Sequence, residues 1–446
     1  MGSRRNYAPL AVAAAPLLAL LAAGCGAPPG PEGWAAPNPV TVQSQQVILV
    51  AHKSHLYALP EGSSNANWQF PPKDKSTYPV SEEAQQALSS AVDALDTDEA
   101  TRTQLKQKVR DLTLTGPSAG ALKDAVKASS APDNKKSDLT SAVDRIIKVE
   151  KDALGKLQAI YGDIGVSSDS GTVFVATFRG IVFALDIQTG HARWLRDTGG
   201  ELVGGVAVDG GVIYVGNKAE RVLAYDAASG AAKWSFDADG AIWATPTVSG
   251  DVVYVTSLDG SLYQLDKASG HKNWAFSGAQ SGIASRPVVD GSSVYVGAFD
   301  NRMYSINTAD GSMNWSLKAD NWFWATPVVR GGVVYAASLD GKVYAVDAAS
   351  GGRKWAFDTG SPVRAAPVIA GDGLVVASKD GHINKLDLET GEPAEGSPRS
   401  IGTKILSDLV NGAGSLVYIS PAAATLVEFD ASAVPLEQPG GTPLPQ

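Results

Sequence analysis

Four tryptophans and one arginine are the residues through which this chain could act on another molecule. Trp34, Trp243, Trp322 and Trp324 stand apart from a regular tryptophan series, and Arg364 falls at the same place in the repeat as Trp243 and Trp324. Large rings beside one cation suit recognition, because flat apolar surface and a fixed charge can hold a peptide, a glycan or a flat small molecule. Phe299 and Lys379, in adjacent loops, extend the candidate surface. Groupings for catalysis are missing: no Ser/His/Asp arrangement, no phosphate loop and no zinc spacing. His52 and His55 form an H-x-x-H across a hairpin, but a metal needs further converging ligands. His191 and His271 follow turn glycines on the opposite side. The expectation is a non-enzyme with no catalytic residue, no metal and no cofactor.

Cys25, the one cysteine, carries a different chemistry. Arg4 and Arg5 precede an apolar run, Ala11–Ala23, that is shorter than the roughly 20 residues a bilayer-spanning helix needs. The run ends in Leu21-Ala22-Ala23-Gly24-Cys25, which looks like a bacterial lipobox with Ala22 where leucine is usual. Residues 1–24 then read as a lipoprotein signal peptide, Cys25 as the lipidated residue, and 25–33 as a flexible tether. This implies export and a lipid anchor on the outer face of the cytoplasmic membrane or on the periplasmic side of an outer membrane. Arg4-Arg5 also admits twin-arginine export. With Cys25 lipidated no thiol remains for a disulfide, a metal or a nucleophile. A net charge of −9 argues against a nucleic-acid surface.

The elements that position these residues are repeats. Trp194, Trp234, Trp274, Trp315 and Trp355 recur at intervals of 40, 40, 41 and 40 residues. One unit reads as four short strands: Ala244–Ser249, Val252–Ser257, Ser261–Asp266 and Lys272–Phe276. Asp259-Gly260 is a hairpin signal, and an aspartate opens the next turn while a glycine closes it. Units begin at Val47, Thr172, Val212, Val252, Val294, Val333, Leu374 and Leu416. Four strands per unit at this period predict an all-β propeller of eight blades, with seven as the alternative count. The repeat tryptophan should fill the wedge between blades. The eighth unit has no tryptophan strand after Asp430, so its outer strand must be missing or donated.

Aligned on the Val-Tyr-Val strand, Asp163, Val203, Trp243, Ala284, Trp324, Arg364 and Leu406 become equivalent. They precede the innermost strand and should surround the channel. Trp34-Ala35-Ala36-Pro37 resembles the segments at Trp243 and Trp324, and Trp322 lies one turn position earlier. The second hairpin loops, with Phe178, Arg179, Lys218, Phe299, Arg302 and Lys379, should open on the same face. These rings either form a binding mouth or plug the channel.

The phrase Val-Tyr-Val…Asp-Gly-x-Leu-Tyr-x-Leu-Asp-x-x-Ser-Gly-x-x-x-Trp resembles the pyrroloquinoline-quinone-type propeller repeat over 47–70 and about 163–430. That family includes quinone-dependent dehydrogenases and non-enzymatic lipoproteins such as the propeller subunit of the outer-membrane β-barrel assembly machinery. The dehydrogenase branch implies a calcium site and often a vicinal cysteine pair, which this chain cannot supply. The lipoprotein branch implies a membrane-anchored scaffold that binds envelope proteins or peptides, as a monomer or a complex subunit. A dehydrogenase-like enzyme and a carbohydrate or small-ligand module are the alternatives.

Residues 71–162 interrupt the array between the first unit, 34–70, and the rest, 163–434. Leu139, Val143, Ile146, Glu150, Ala153, Leu157 and Ile160 follow a heptad stripe with one polar breach. Ser81, Thr97, Ser118 and Ser137 are candidate caps. Three or four helices are expected, as a self-packed decoration or as a partner-docking arm. Residues 435–446 read as a disordered tail.

Overall fold

The computed structural model describes residues 35–444 apart from 43–44, 62, 75–77, 156, 158, 413–415, 420–424 and 432–439. The expected signal peptide and tether, Cys25 and Trp34 lie outside the described residues.

Eight four-stranded antiparallel sheets form among the described residues, so the count is eight blades. The first is β1 (Asn38–Val42), β2 (Gln45–His52), β3 (His55–Pro60) and β4 (Trp68–Phe70). Six further sheets run in chain order from Gly165 to Ser400. Their innermost strands are β5 (Gly165–Ser167), β9 (Ala207–Asp209), β13 (Thr247–Ser249), β17 (Val288–Asp290), β21 (Val328–Arg330) and β25 (Val368–Ala370). The last sheet is β29 (Val410–Asn411), β30 (Leu416–Ile419), β31 (Thr425–Asp430) and β32 (Gly440–Pro443). The missing outer strand is thus β32, which pairs with β31. This corrects the expectation of a disordered tail: Gly440–Pro443 is an edge strand, where proline costs no ladder bond. The first and last blades meet in a shared apolar core. Ile48, Val50, Tyr57 and Leu59 of the first sheet share a core with Leu426 and Leu444.

Among the described residues six of the eight blades are locked to the next by one device. The Trp194 Nε1–H donates to the Ala227 carbonyl at 3.0 Å, Trp234 to Lys267 at 2.9 Å, Trp274 to Thr308 at 3.1 Å, Trp315 to Ala348 at 2.9 Å and Trp355 to Leu388 at 3.1 Å. Trp68 belongs to this series and was missed because the insertion breaks the count: it donates to the Ile187 carbonyl at 2.9 Å. The acceptor lies in the turn that the repeat aspartate organises. Asp266 Oδ1, for instance, accepts from the Ser269 N–H and hydroxyl at 2.8 and 2.6 Å. The closing glycine then lies against the ring. A Cβ on Gly391, which has φ +76°, would meet the Trp355 ring at 2.6 Å. Glycine is required there both for the left-handed backbone and for the close approach.

Four helices fill 71–162: α1 (Glu82–Asp93), α2 (Glu99–Arg110), α3 (Ser118–Ala128) and α4 (Asp133–Gly155). Each packs on the next, and α4 returns to α1. Ser81 caps α1 as expected, accepting from the Ala84 N–H. Asp98 rather than Thr97 caps α2, because its carboxylate takes the Thr101 N–H and hydroxyl together. Ser118 is the first residue of α3, and its hydroxyl accepts from the Thr113 N–H. Ser137 lies inside α4. Leu139, Val143, Glu150 and Ala153 are buried, but Ile147 takes the place assigned to Ile146. Leu157 and Ile160 follow the helix end. Glu150, the polar breach, is buried at the N-terminus of α1, where its carboxylate accepts from the Ser81 N–H and hydroxyl.

The bundle is not a detached arm. Its core is continuous with that of the first two blades through Phe70, Tyr78, Phe183 and Leu185. Glu83 forms a two-pronged ion pair of 2.7 and 2.9 Å with Arg196 on β8 (Ala192–Asp197), the outer strand of the second blade.

Candidate functional site

The channel is built by the segments that precede the innermost strands. All seven aligned residues, Asp163, Val203, Trp243, Ala284, Trp324, Arg364 and Leu406, line one axial cavity of about 90 Å³. A second set lies two positions on: Thr245, Arg286, Thr326 and Asp408. The two-residue period of an extended chain brings i and i+2 to one side.

Around the cavity the rings touch in series. The Arg364 guanidinium lies 4.6 Å from the centre of the Trp324 ring. Trp324 and Trp243 are 6.2 Å apart at 60°. Phe299 sits between Trp322 at 4.6 Å and Trp324 at 5.4 Å. The 4.6 Å contact to Arg364 fits a cation–π pair. Four of the sequence-selected residues, Trp243, Trp322, Trp324 and Phe299, therefore form one aromatic cluster, with Arg364 as its cation. Phe299 is buried, while Trp243, Trp322, Trp324 and Arg364 are half-buried. Lys379 is on the same face, where its N–H donates to the Pro362 carbonyl, but it does not line the cavity. Phe178 packs edge-on against Tyr161 at 5.4 Å, under the Lys218 ammonium. Arg302 does not join them, since its guanidinium donates to Ser316 on the outer strand of its own blade. The histidines stay apart: His52 pairs with His55 in the first hairpin, and His191 meets Tyr78 edge-on.

The same lining carries ionic groups. Arg286 pairs with Asp163 at 3.1 Å, and the Thr245 hydroxyl donates to the same carboxylate oxygen at 3.0 Å. Close approach of glycines brings Asp163 there. A Cβ on Gly205 would meet the Asp163 backbone at 2.2 Å. Asp408 accepts from the Ala366 N–H at 2.6 Å. Burial pushes its carboxyl up to about 6; the Asp163 charge adds to this, while the Ala366 N–H, Arg364 and Arg286 oppose it. The Trp243 indole N–H is buried without a hydrogen-bond partner. Sequence reasoning passed over Arg286 and Asp408 because it took one residue per unit. The signal was present two positions further along.

Chemically the arrangement can stack, hydrogen-bond and hold charge. Among the described residues no three His, Cys, Asp or Glu side chains converge as a metal site.

Comparison with known proteins agrees with this architecture. Residues 178–284 and 276–432 match the family model described as outer membrane protein assembly factor BamB. The crystal structure of BamB from Moraxella catarrhalis superposes with a TM-score of 0.54 at 22% identity, over 63% of this chain and 87% of that one. The computationally designed Ika8 protein superposes with a TM-score of 0.55 at 19% identity, over 62% and 86%. At these identities the superpositions speak for the fold alone. No curated protein sequence matches.

Proposed function

The chain belongs to the family of the outer membrane protein assembly factor BamB, and from that premise we propose that it is a non-catalytic, lipid-anchored propeller scaffold that binds proteins or peptides at the cell envelope. Its partners are envelope proteins engaged in assembly, and Cys25 holds it to the membrane. The observation that carries this reading is the aromatic cluster of Trp243, Trp322, Trp324 and Phe299 with Arg364 beside the axial cavity. Half-buried tryptophans beside a cation provide the desolvatable anchor that protein interfaces concentrate their energy in. The continuous core that ties the helical bundle to two blades favours the channel face over the bundle as the docking surface. A dehydrogenase-like reading is disfavoured by size, since a cavity of about 90 Å³ is smaller than the roughly 150 Å³ that admits one benzene ring. Crosslinking in native membranes followed by mass spectrometry tests the proposal. Envelope assembly proteins should be recovered on the channel face. Dye-linked alcohol oxidation by protein incubated with the quinone and calcium would overturn it.

A further inference from the structure

We propose that the axial cavity binds a small zwitterion of the free α-amino acid type. The charged groups of the wall come from two sides, of which Arg286 and Asp163 already pair with each other at 3.1 Å. The four consecutive sheets that start with β13, β17, β21 and β25 supply its tryptophans and both cations: Trp243, Arg286, Trp324 and Arg364. The sheets that start with β29 and β5 supply both carboxylates, Asp408 and Asp163. The intervening sheets add only small or aliphatic side chains. Two arginines against two aspartates leave no net charge, so a lone cation or anion gains little, whereas a matched dipole gains at both ends.

Unmet hydrogen-bonding capacity is divided in the same way. On the cationic half the buried Trp243 N–H has no acceptor. On the acidic half Asp408 uses Oδ1 for the Ala366 N–H, and its Oδ2 makes no hydrogen bond to a described residue. A buried donor without an acceptor is rare and costly, and a carboxylate has room for more than one donor. A ligand carboxylate answers the first, and a ligand ammonium the second. Size narrows the class further. With about 90 Å³ of free space the cavity excludes a ring but admits a molecule of glycine or alanine size.

This inference goes beyond the docking role and rests on Asp408 and the Trp243 N–H, not on Trp322 or Phe299. The test is calorimetric titration of the full chain at pH 8 with glycine and alanine, and in parallel with acetate and methylamine, which each carry half of the dipole. Saturable binding of an amino acid is expected, with each half-ligand at least about tenfold weaker, the factor a charged hydrogen bond contributes. Asp408→Asn and Trp243→Phe should each weaken binding by a similar factor without lowering the melting temperature. No saturable heat from either amino acid, equal binding of acetate or methylamine, or unchanged binding by both variants would overturn the proposal. Partner crosslinking by Asp408→Asn protein is read separately, so failure of the ligand site and failure of the docking face are distinguishable.

Discussion

Replacing Trp355 with alanine removes a ring that is 9% exposed, packs 5.8 Å from Tyr335 and donates to the Leu388 carbonyl of the next blade. Large-to-small core changes of this kind cost about 3–5 kcal/mol, and the carbonyl left without its donor adds about 1 kcal/mol. Gly391→Ala attacks the same lock from the other blade. Its left-handed backbone costs about 1–2 kcal/mol with a Cβ present, and overpacking against the ring adds about 1–3 kcal/mol. The three atoms nearest to that Cβ all belong to the Trp355 indole. In the double variant the clash disappears and only the backbone cost remains. The two changes should therefore fall short of additivity by about 1–3 kcal/mol, a coupling measurable by a double-mutant cycle. Equilibrium urea unfolding of the four proteins is the assay. An unchanged midpoint for Trp355→Ala, or the same cost of Gly391→Ala in both backgrounds, would refute the lock.

Other consequences follow from the buried carboxyls. The Asp408 carboxyl is raised in the fold, so its contribution is fully present below the ordinary value of 3.8 and is lost as pH rises through about 6. That displacement corresponds to about 3 kcal/mol at most, and the partial exposure of Asp408 reduces it to about 1–2 kcal/mol. Asp408→Asn should accordingly raise the unfolding midpoint at pH 8 and flatten the pH dependence between 4 and 6; a lower midpoint at pH 8 would contradict this. Glu150→Ala should cost about 1–3 kcal/mol locally by stripping the acceptor from Ser81. Hydrogen exchange should then accelerate in α1 and leave the blades unchanged.

The channel was legible because register in a sheet repeat is rigid. One alignment on the Val-Tyr-Val strand brought seven residues to one cavity, since each blade repeats the same turn lengths around the axis. Arg286 and Asp408 were not read, although the two-residue strand period places them beside Ala284 and Leu406. Helix ends were less legible. Thr97 and Asp98 are both cap residues, and only the fold decides that the carboxylate reaches two donors of Thr101. The heptad stripe chose Ile146 where Ile147 is buried, because a short bundle follows 3.6 residues per turn and not the 3.5 of a supercoil. Trp68 was hidden by sequence distance alone: Trp68-Gln69-Phe70 carries the same pattern as Trp274-Ala275-Phe276.

The central claim is that the channel face docks envelope partners. Its most direct test replaces Trp243 and Trp324 together with alanine and compares crosslinked partners from native membranes by mass spectrometry. The far-UV spectrum should be retained, because neither ring forms part of a blade lock. The account predicts that partner peptides crosslinked to the channel-face loops in the parent protein disappear in the double variant. Recovery of the same partners in equal yield, or crosslinks confined to the helical bundle, would contradict it.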